Sequence, residues 1–184
     1  MIRHIFLLIF ILFIFCITSN CIANELALTK SQITPREISK IIQKQGPKQT
    51  IKLLYANQKT WDMVLRNIAS GKQEWLNVAK LLKSGTDAGS SEMLNLAMGE
   101  ALAYSPKFVL EIMKEDNFFT AVCYGPDLDD IRFSTYDKAI NATNFRIAVL
   151  EKVNDSNLMD IRNKCIDNLK KSKISLQEYF NVKK

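Results

Sequence analysis

The sequence predicts an all-α protein, and three observations carry that prediction. Apolar residues recur at spacings of three and four, as one buried side of a helix requires. Thr34-Pro35 and Ser105-Pro106 pair a hydroxyl with proline, which is how many helices begin, and glycines follow several apolar stripes, where helices end. No two stretches alternate apolar and polar residues in a way that would pair as strands. The expected architecture is a compact bundle, or a short helical-repeat-like array, of about eight helices with one disulfide.

Each element has its own signal. Thr34-Pro35-Arg36-Glu37 combines a hydroxyl cap, proline at the first helical position and a glutamate placed to reach back. Ile38, Ile41 and Ile42 share the face that follows, up to Gly46. Pro47 opens a second helix carrying Ile51, Leu54 and Tyr55. Trp61, Val64, Leu65 and Ile68 mark a third, closed by Ser70-Gly71. Trp75, Val78, Ala79 and Leu82 mark a fourth, closed by Ser84-Gly85. The third and fourth match each other at an offset of 14 residues, a short repeat or chance periodicity. Gly71 and Gly85 are expected to turn left-handed and stop their helices.

Residues 86–92 read as a small polar loop before a fifth helix with Leu94, Ala97, Met98, Ala101 and Leu102 on its apolar side. Small residues at 97, 99, 101 and 103 permit a close helix contact. Ser105-Pro106 opens a sixth helix with Val109, Leu110, Ile112 and Met113. Residues 116–133 read as irregular and include the pair Phe118-Phe119. Helix resumes near Ser134 and runs to about Lys152. A last long helix begins near Ser156 with Leu158, Ile161, Cys165 and Leu169, and Leu176, Tyr179 and Phe180 read as a separate docking turn.

The first 23 residues have the layout of a secretory signal peptide: Arg3, a nearly unbroken apolar run from Ile5 to Thr18, then Cys21-Ile22-Ala23 with a small residue before the expected cut. Two other readings compete. A retained anchor is disfavoured by a run shorter than the ~20 residues of a comfortable span. A lipid anchor on Cys21 is disfavoured by Asn20, where Gly or Ala is expected. Cleavage after Ala23 predicts export, a flexible stretch over 24–33 and one helical domain over 34–184, with no stable membrane anchor.

Export would remove Cys16 and Cys21, leaving Cys123 and Cys165. An even count in an oxidising compartment favours one bridge, and two buried free thiols are the alternative. Export would also remove His4, the only histidine, and with it the usual general base and the serine–histidine and cysteine–histidine arrangements. With Arg3 gone from the 25 basic residues, 24 remain against 19 acidic ones, and they are scattered apart from Lys170-Lys171 with Lys173 and Lys183-Lys184. That opposes nucleic-acid binding. No phosphate-cradling glycine loop is present, and no cofactor is expected.

A few residues remain as candidates for chemistry. Asp127, Asp129 and Asp130 form an acidic cluster that could hold calcium, without the glycine and distal glutamate of the usual calcium loop; the plainer reading is a solvated loop. With Tyr124 they make a weak binding candidate. Glu100 sits at the edge of an apolar face, where an acid can become a proton donor, with Asp87 as its natural partner; a rim glutamate paired with a cation and a helix-capping Asp87 are the plainer readings. Trp61 and Trp75 suit core packing first and a partner surface second. Asn141-Ala142-Thr143 matches a glycosylation acceptor but falls in a predicted helix.

Trp61, Ile68-Ala69-Ser70-Gly71, Trp75-Leu76, Gly85-Thr86-Asp87-Ala88-Gly89 and Gly99-Glu100-Ala101-Leu102 together resemble a group of small exported helical proteins of Gram-negative bacteria. Cys123-Tyr124-Gly125-Pro126-Asp127 extends the pattern. The resemblance implies a periplasmic location and a helical domain, and no substrate. In size, export and single bridge the chain also resembles periplasmic immunity proteins that neutralise wall-degrading effectors, a likeness of architecture alone. The functional expectation is a non-enzymatic periplasmic protein that binds another protein, such as an inhibitor or immunity factor. The alternatives are a cell-wall glycan hydrolase using Glu100 with an aspartate, and a structural envelope protein.

Overall fold

A computed structural model describes residues 33–115 and 120–182. The leader, most of the stretch over 24–33 and the Phe118-Phe119 pair lie outside the described residues. Within them the chain is an all-helical bundle of eight α-helices and three short 3-10 turns. The helices are α1 (Pro35–Gln45), α2 (Pro47–Ala56), α3 (Gln58–Ala69), α4 (Gln73–Lys83), α5 (Ala88–Ala101), α6 (Pro106–Glu115), α7 (Tyr136–Glu151) and α8 (Met159–Val182). The turns are Thr120–Cys123, Ile131–Phe133 and Ser156–Leu158.

Local chemistry explains the boundaries. At α1 the backbone N–H of Glu37 donates to the Thr34 hydroxyl at 3.2 Å, and the Glu37 carboxylate accepts from the Thr34 backbone N–H at 2.8 Å. Two otherwise orphaned donors are thereby satisfied. Asn57 caps α3 and Thr135 caps α7 in the same sense. Pro106 starts α6, but the Ser105 hydroxyl donates to the Gly71 carbonyl at 2.7 Å instead of capping. It ties the end of α3 to the start of α6.

α5 organises the packing. It contacts α3, α4, α6 and the Thr120–Cys123 turn, while α7 and α8 pack on each other. Trp61 is fully buried and its indole N–H points at the Met93 sulfur, 3.3 Å away, joining α3 to α5. Trp75 is buried too, so neither tryptophan is a surface anchor. Tyr55 is partly exposed but lies with its ring 5.9 Å from that of Trp61. Burying a large side chain stabilises by about 1.5–3 kcal/mol, so this stripe is a main source of cohesion.

Several sequence expectations need correction. The expected loop over 86–92 is short: α5 already begins at Ala88, because Asp87 and Ser90 cap each other reciprocally. Leu176, Tyr179 and Phe180 are not a separate turn. They belong to α8, which runs unbroken to Val182, since no Gly or Pro interrupts it. The region over 116–133 contains two 3-10 turns. Ile33, placed in a flexible stretch, is buried in the core. Gly71 has the expected positive φ of 74°, but Gly85 does not turn left-handed. It is needed for space: a Cβ there would stand 2.3 Å from the Pro47 carbonyl carbon and 2.4 Å from the Lys48 nitrogen.

Cys123 and Cys165, 42 positions apart in sequence, form a disulfide with sulfurs 1.97 Å apart. It joins the Thr120–Cys123 turn to α8. The bridge forbids many open conformations of the unfolded chain.

Two stability measurements follow. Gly85→Ala should destabilise by about 1–3 kcal/mol, because the obstacle is backbone and cannot swing aside. Gly89→Ala, where the nearest atom to a new Cβ is the Tyr55 hydroxyl at 3.5 Å, should be neutral or stabilising by up to about 1 kcal/mol. Urea titrations of both variants test the contrast. Replacing both bridge cysteines by serine should cost about 2–4 kcal/mol, and dithiothreitol should lower the stability of the unaltered protein by the same amount and that of the variant by none.

Candidate functional site

A cleft of about 820 Å³ opens between α3, α5 and the segment that carries Asp127, Asp130 and Arg132. Helical spacing builds it. Asp62, Leu65, Arg66 and Ala69 lie along one side of α3, next to the face that buries Trp61, Val64 and Ile68. Met93, Leu96, Ala97 and Glu100 lie along one side of α5, and Tyr104 follows just beyond its end. The floor is therefore aliphatic and the rim is charged.

Glu100 is held at that rim by Arg132. Its two carboxylate oxygens each accept from a separate Arg132 nitrogen at 2.8 Å, the parallel fork that gives arginine–carboxylate pairs their specificity. Asp130 takes the other side of the guanidinium, accepting from Arg132 Nε at 2.8 Å, and its second oxygen accepts from the Arg132 backbone N–H at 2.8 Å. The guanidinium also lies over the Phe133 ring, 5.1 Å from the centroid. Hydrogen bonds from Arg132 hold the Asp130 carboxyl below the usual carboxylate range, and the two acids, Asp130 first, raise Arg132.

A small notch adjoins the cleft, with Leu96, Glu100 and Asp127 as shared walls and Arg146 at its side. Arg146, on α7, is only 4% exposed. Its Nη1 donates to the Tyr124 carbonyl at 3.3 Å. Burial pushes its pKa down to about 10, a tendency that the charge of Glu100 partly offsets. The notch exists because residue 99 is glycine. A Cβ there would meet the Val122 carbonyl oxygen at 2.8 Å and stand 3.6 Å from Arg146 Nη1.

The other candidates fall as follows. Asp87 caps α5, with the Ser90 backbone N–H donating to it at 3.0 Å, and the hydrogen bonds from Ser90 lower its pKa. It cannot partner Glu100 as considered above: the two stand at opposite ends of α5, roughly 20 Å apart along a helix rising 1.5 Å per residue. Asp127 lines the cleft and accepts from the Asp129 backbone N–H at 3.0 Å, and Asp129 itself is exposed. Among the described residues no three His, Cys, Asp or Glu side chains gather where a metal ion could be held. Tyr124 is exposed at 55% and contributes its carbonyl to Arg146. In Asn141-Ala142-Thr143, Thr143 is buried with its hydroxyl donating to the Ala139 carbonyl within α7, whereas Asn141 is exposed.

Arg132 and Arg146 are not singled out by the sequence reading. Arg132 stands in a segment without periodicity. Arg146 did leave a signal: Ala139, Thr143, Ile147 and Leu150 mark the buried face of α7, and Arg146 falls on it. Lys83 is a third such group, 5% exposed, with Nζ donating to the Ser91 hydroxyl at 2.8 Å and to Asn95 Oδ1 at 3.0 Å. This serine–lysine contact is not in the cleft.

No family model matches the chain, and neither curated proteins nor solved structures gave a match. Among the described residues, no helix is long and apolar enough to cross a membrane.

The Asp130 pKa sets a pH dependence. A carboxyl whose folded pKa is lowered stabilises the fold fully above its unfolded value, and that contribution is lost as pH falls through the lowered value. Asp130→Asn should therefore be the less stable protein near neutral pH. The cost should be under about 1 kcal/mol, because Arg132 is more than half exposed and the pair is screened. The difference should vanish in strong acid, as read from urea midpoints across a pH series.

Proposed function

We propose that this chain is a non-enzymatic binding protein of an oxidising, extracytoplasmic compartment, and that the cleft between α3 and α5 receives a segment of a protein partner. The observation that carries this reading is the combination of an open aliphatic floor with a rim whose one candidate acid, Glu100, has both oxygens engaged by Arg132. A hydrolase would need that carboxylate free to meet a glycosidic oxygen, with a second carboxyl across the bond. Here the second acid at hand, Asp130, grips the same arginine. Apolar floor and charged rim are instead the anatomy of a protein-binding surface. The disulfide suits an oxidising location, and so does the apolar leader in the sequence. An inhibitor or immunity factor is the form of binding protein that fits best, since such proteins need a preformed surface and no chemistry of their own.

Affinity capture from a periplasmic extract tests this proposal, with Leu96→Asp and Leu81→Asp as paired baits. Leu96 lies in the cleft, and Leu81 is an exposed leucine of α4 outside it. The unaltered protein and Leu81→Asp should capture the same partner, and Leu96→Asp should lose about tenfold or more. No reproducible partner, or equal capture by both variants, overturns the reading. Zymography on cell-wall glycan with activity lost in Glu100→Gln overturns it in favour of a hydrolase.

A further inference from the structure

Arg146 is a cation in a place where cations are normally paired. Arginine is almost never fully buried without a partner, because removing its charge from water is costly unless carboxylates and hydrogen bonds compensate. Among the described residues Arg146 makes no ion pair. Its guanidinium has five N–H donors, and the Tyr124 carbonyl takes one of them at the long distance of 3.3 Å. Glu100, the acid whose charge reaches it, gives both oxygens to Arg132. Arg146 lines the notch next to the cleft, and no side-chain nitrogen among the described residues is both buried and without a hydrogen-bond partner, so the donors that Tyr124 leaves unused are open to solvent.

The size and charge of that space select the ligand. The notch measures about 10 Å³, room for roughly one water-sized oxygen atom. One oxygen of a bound group can enter it, and the rest of that group stays in the cleft. Asp62, Glu100, Asp127 and Asp130 line the cleft together with Arg66 and Arg132, so the lining keeps an excess of acids and repels a dianion approaching Arg146 more than a single negative charge. The aliphatic floor lies beside the notch through their shared Leu96.

We infer that Arg146 anchors a carboxylate of a peptide or protein ligand, one oxygen entering the notch while the ligand's apolar side chains rest on Leu65, Met93 and Leu96. The inference rests on the cleft being the binding surface and adds the chemical group that the partner must present. The carboxylate is a chain terminus or an Asp or Glu side chain. It supplies the ion pair that Arg146 lacks within its own chain, and a charge-assisted bond at so buried a site is stronger than at the rim.

The test is an NMR titration of the isotope-labelled full chain with N-acetyl-leucyl-leucine, with its C-terminal amide, with sodium acetate and with inorganic phosphate. The free acid should shift the amide signals of Gly99, Val122 and Gly125 and an arginine Nε–H signal. The amide should bind about tenfold more weakly or worse, having lost the charge-assisted bond. Arg146→Met should abolish the preference for the acid, and Arg146→Lys, which keeps charge without the fork, should fall between. Thermal melts report whether each variant folds, and if Arg146→Met does not, acid against amide on the unaltered protein decides. Equal binding of acid and amide, or no shift with either, overturns the anchor. Acetate as effective as the peptide assigns Arg146 to small free carboxylates and overturns the peptide assignment, and phosphate stronger than both overturns the carboxylate. Partner capture that is lost in Leu96→Asp but retained in folded Arg146→Met sinks this inference while leaving the cleft reading intact.

Discussion

The close approach of the Thr120–Cys123 turn to Gly99 is the contact on which the rest of the site depends. Val122 is buried with its carbonyl oxygen against the bare face of α5, where any side chain at residue 99 would collide. The bridge from Cys123 to Cys165 fastens the same turn to α8. Between them these two contacts fix where the chain leaves toward Asp127, and so where Arg132 can reach Glu100. A larger residue at 99 would push the turn away and pull the far wall of the cleft off α5. Packing, a covalent bond and a surface ion pair thus act in series, and the first sets the geometry of the other two.

The helices were legible because their signals are local. A capping box, a proline at the first turn and a stripe at three-and-four spacing each involve residues within about one or two turns of one another. Thr34 with Glu37 and the stripe from Trp61 to Ile68 are of this kind. What could not be read required contacts distant in sequence. Gly85 reads as a helix stop, yet the reason for glycine there is the backbone of Pro47 and Lys48, brought alongside only by the fold. Glu100 was visible as an edge acid. Its partner Arg132 is 32 residues away, in a segment that has no period to locate it. Arg146 is the intermediate case: its place on the buried face of α7 is a matter of spacing, but its lack of an ion pair becomes apparent only when the neighbouring elements are in position.

The electrostatics of the cleft differ between its rim and its depth. At the rim, Arg132 is exposed and serves two acids, so its interactions are screened and contribute modestly to stability. At depth, Arg146 is nearly all buried and has no acid of its own. The first arrangement holds a wall in place, and the second leaves a strong field with little to terminate it. A binding surface organised this way gives orientation from one buried charge and area from an aliphatic floor, in keeping with the proposed role.

The ring closed by the disulfide encloses all of α7, and with it Arg132 and Arg146. In a chain that emerges from its point of synthesis amino end first, Cys123 must wait through 42 residues for its partner. The helices of the near wall, α3 and α5, can meet around Trp61 during that interval, since neither lies inside the ring. Chain order alone thus lets the near wall form before the far wall is clamped. An interrupted chain ending before Cys165 would lack this clamp, and with it the covalent tie between the Thr120–Cys123 turn and α8.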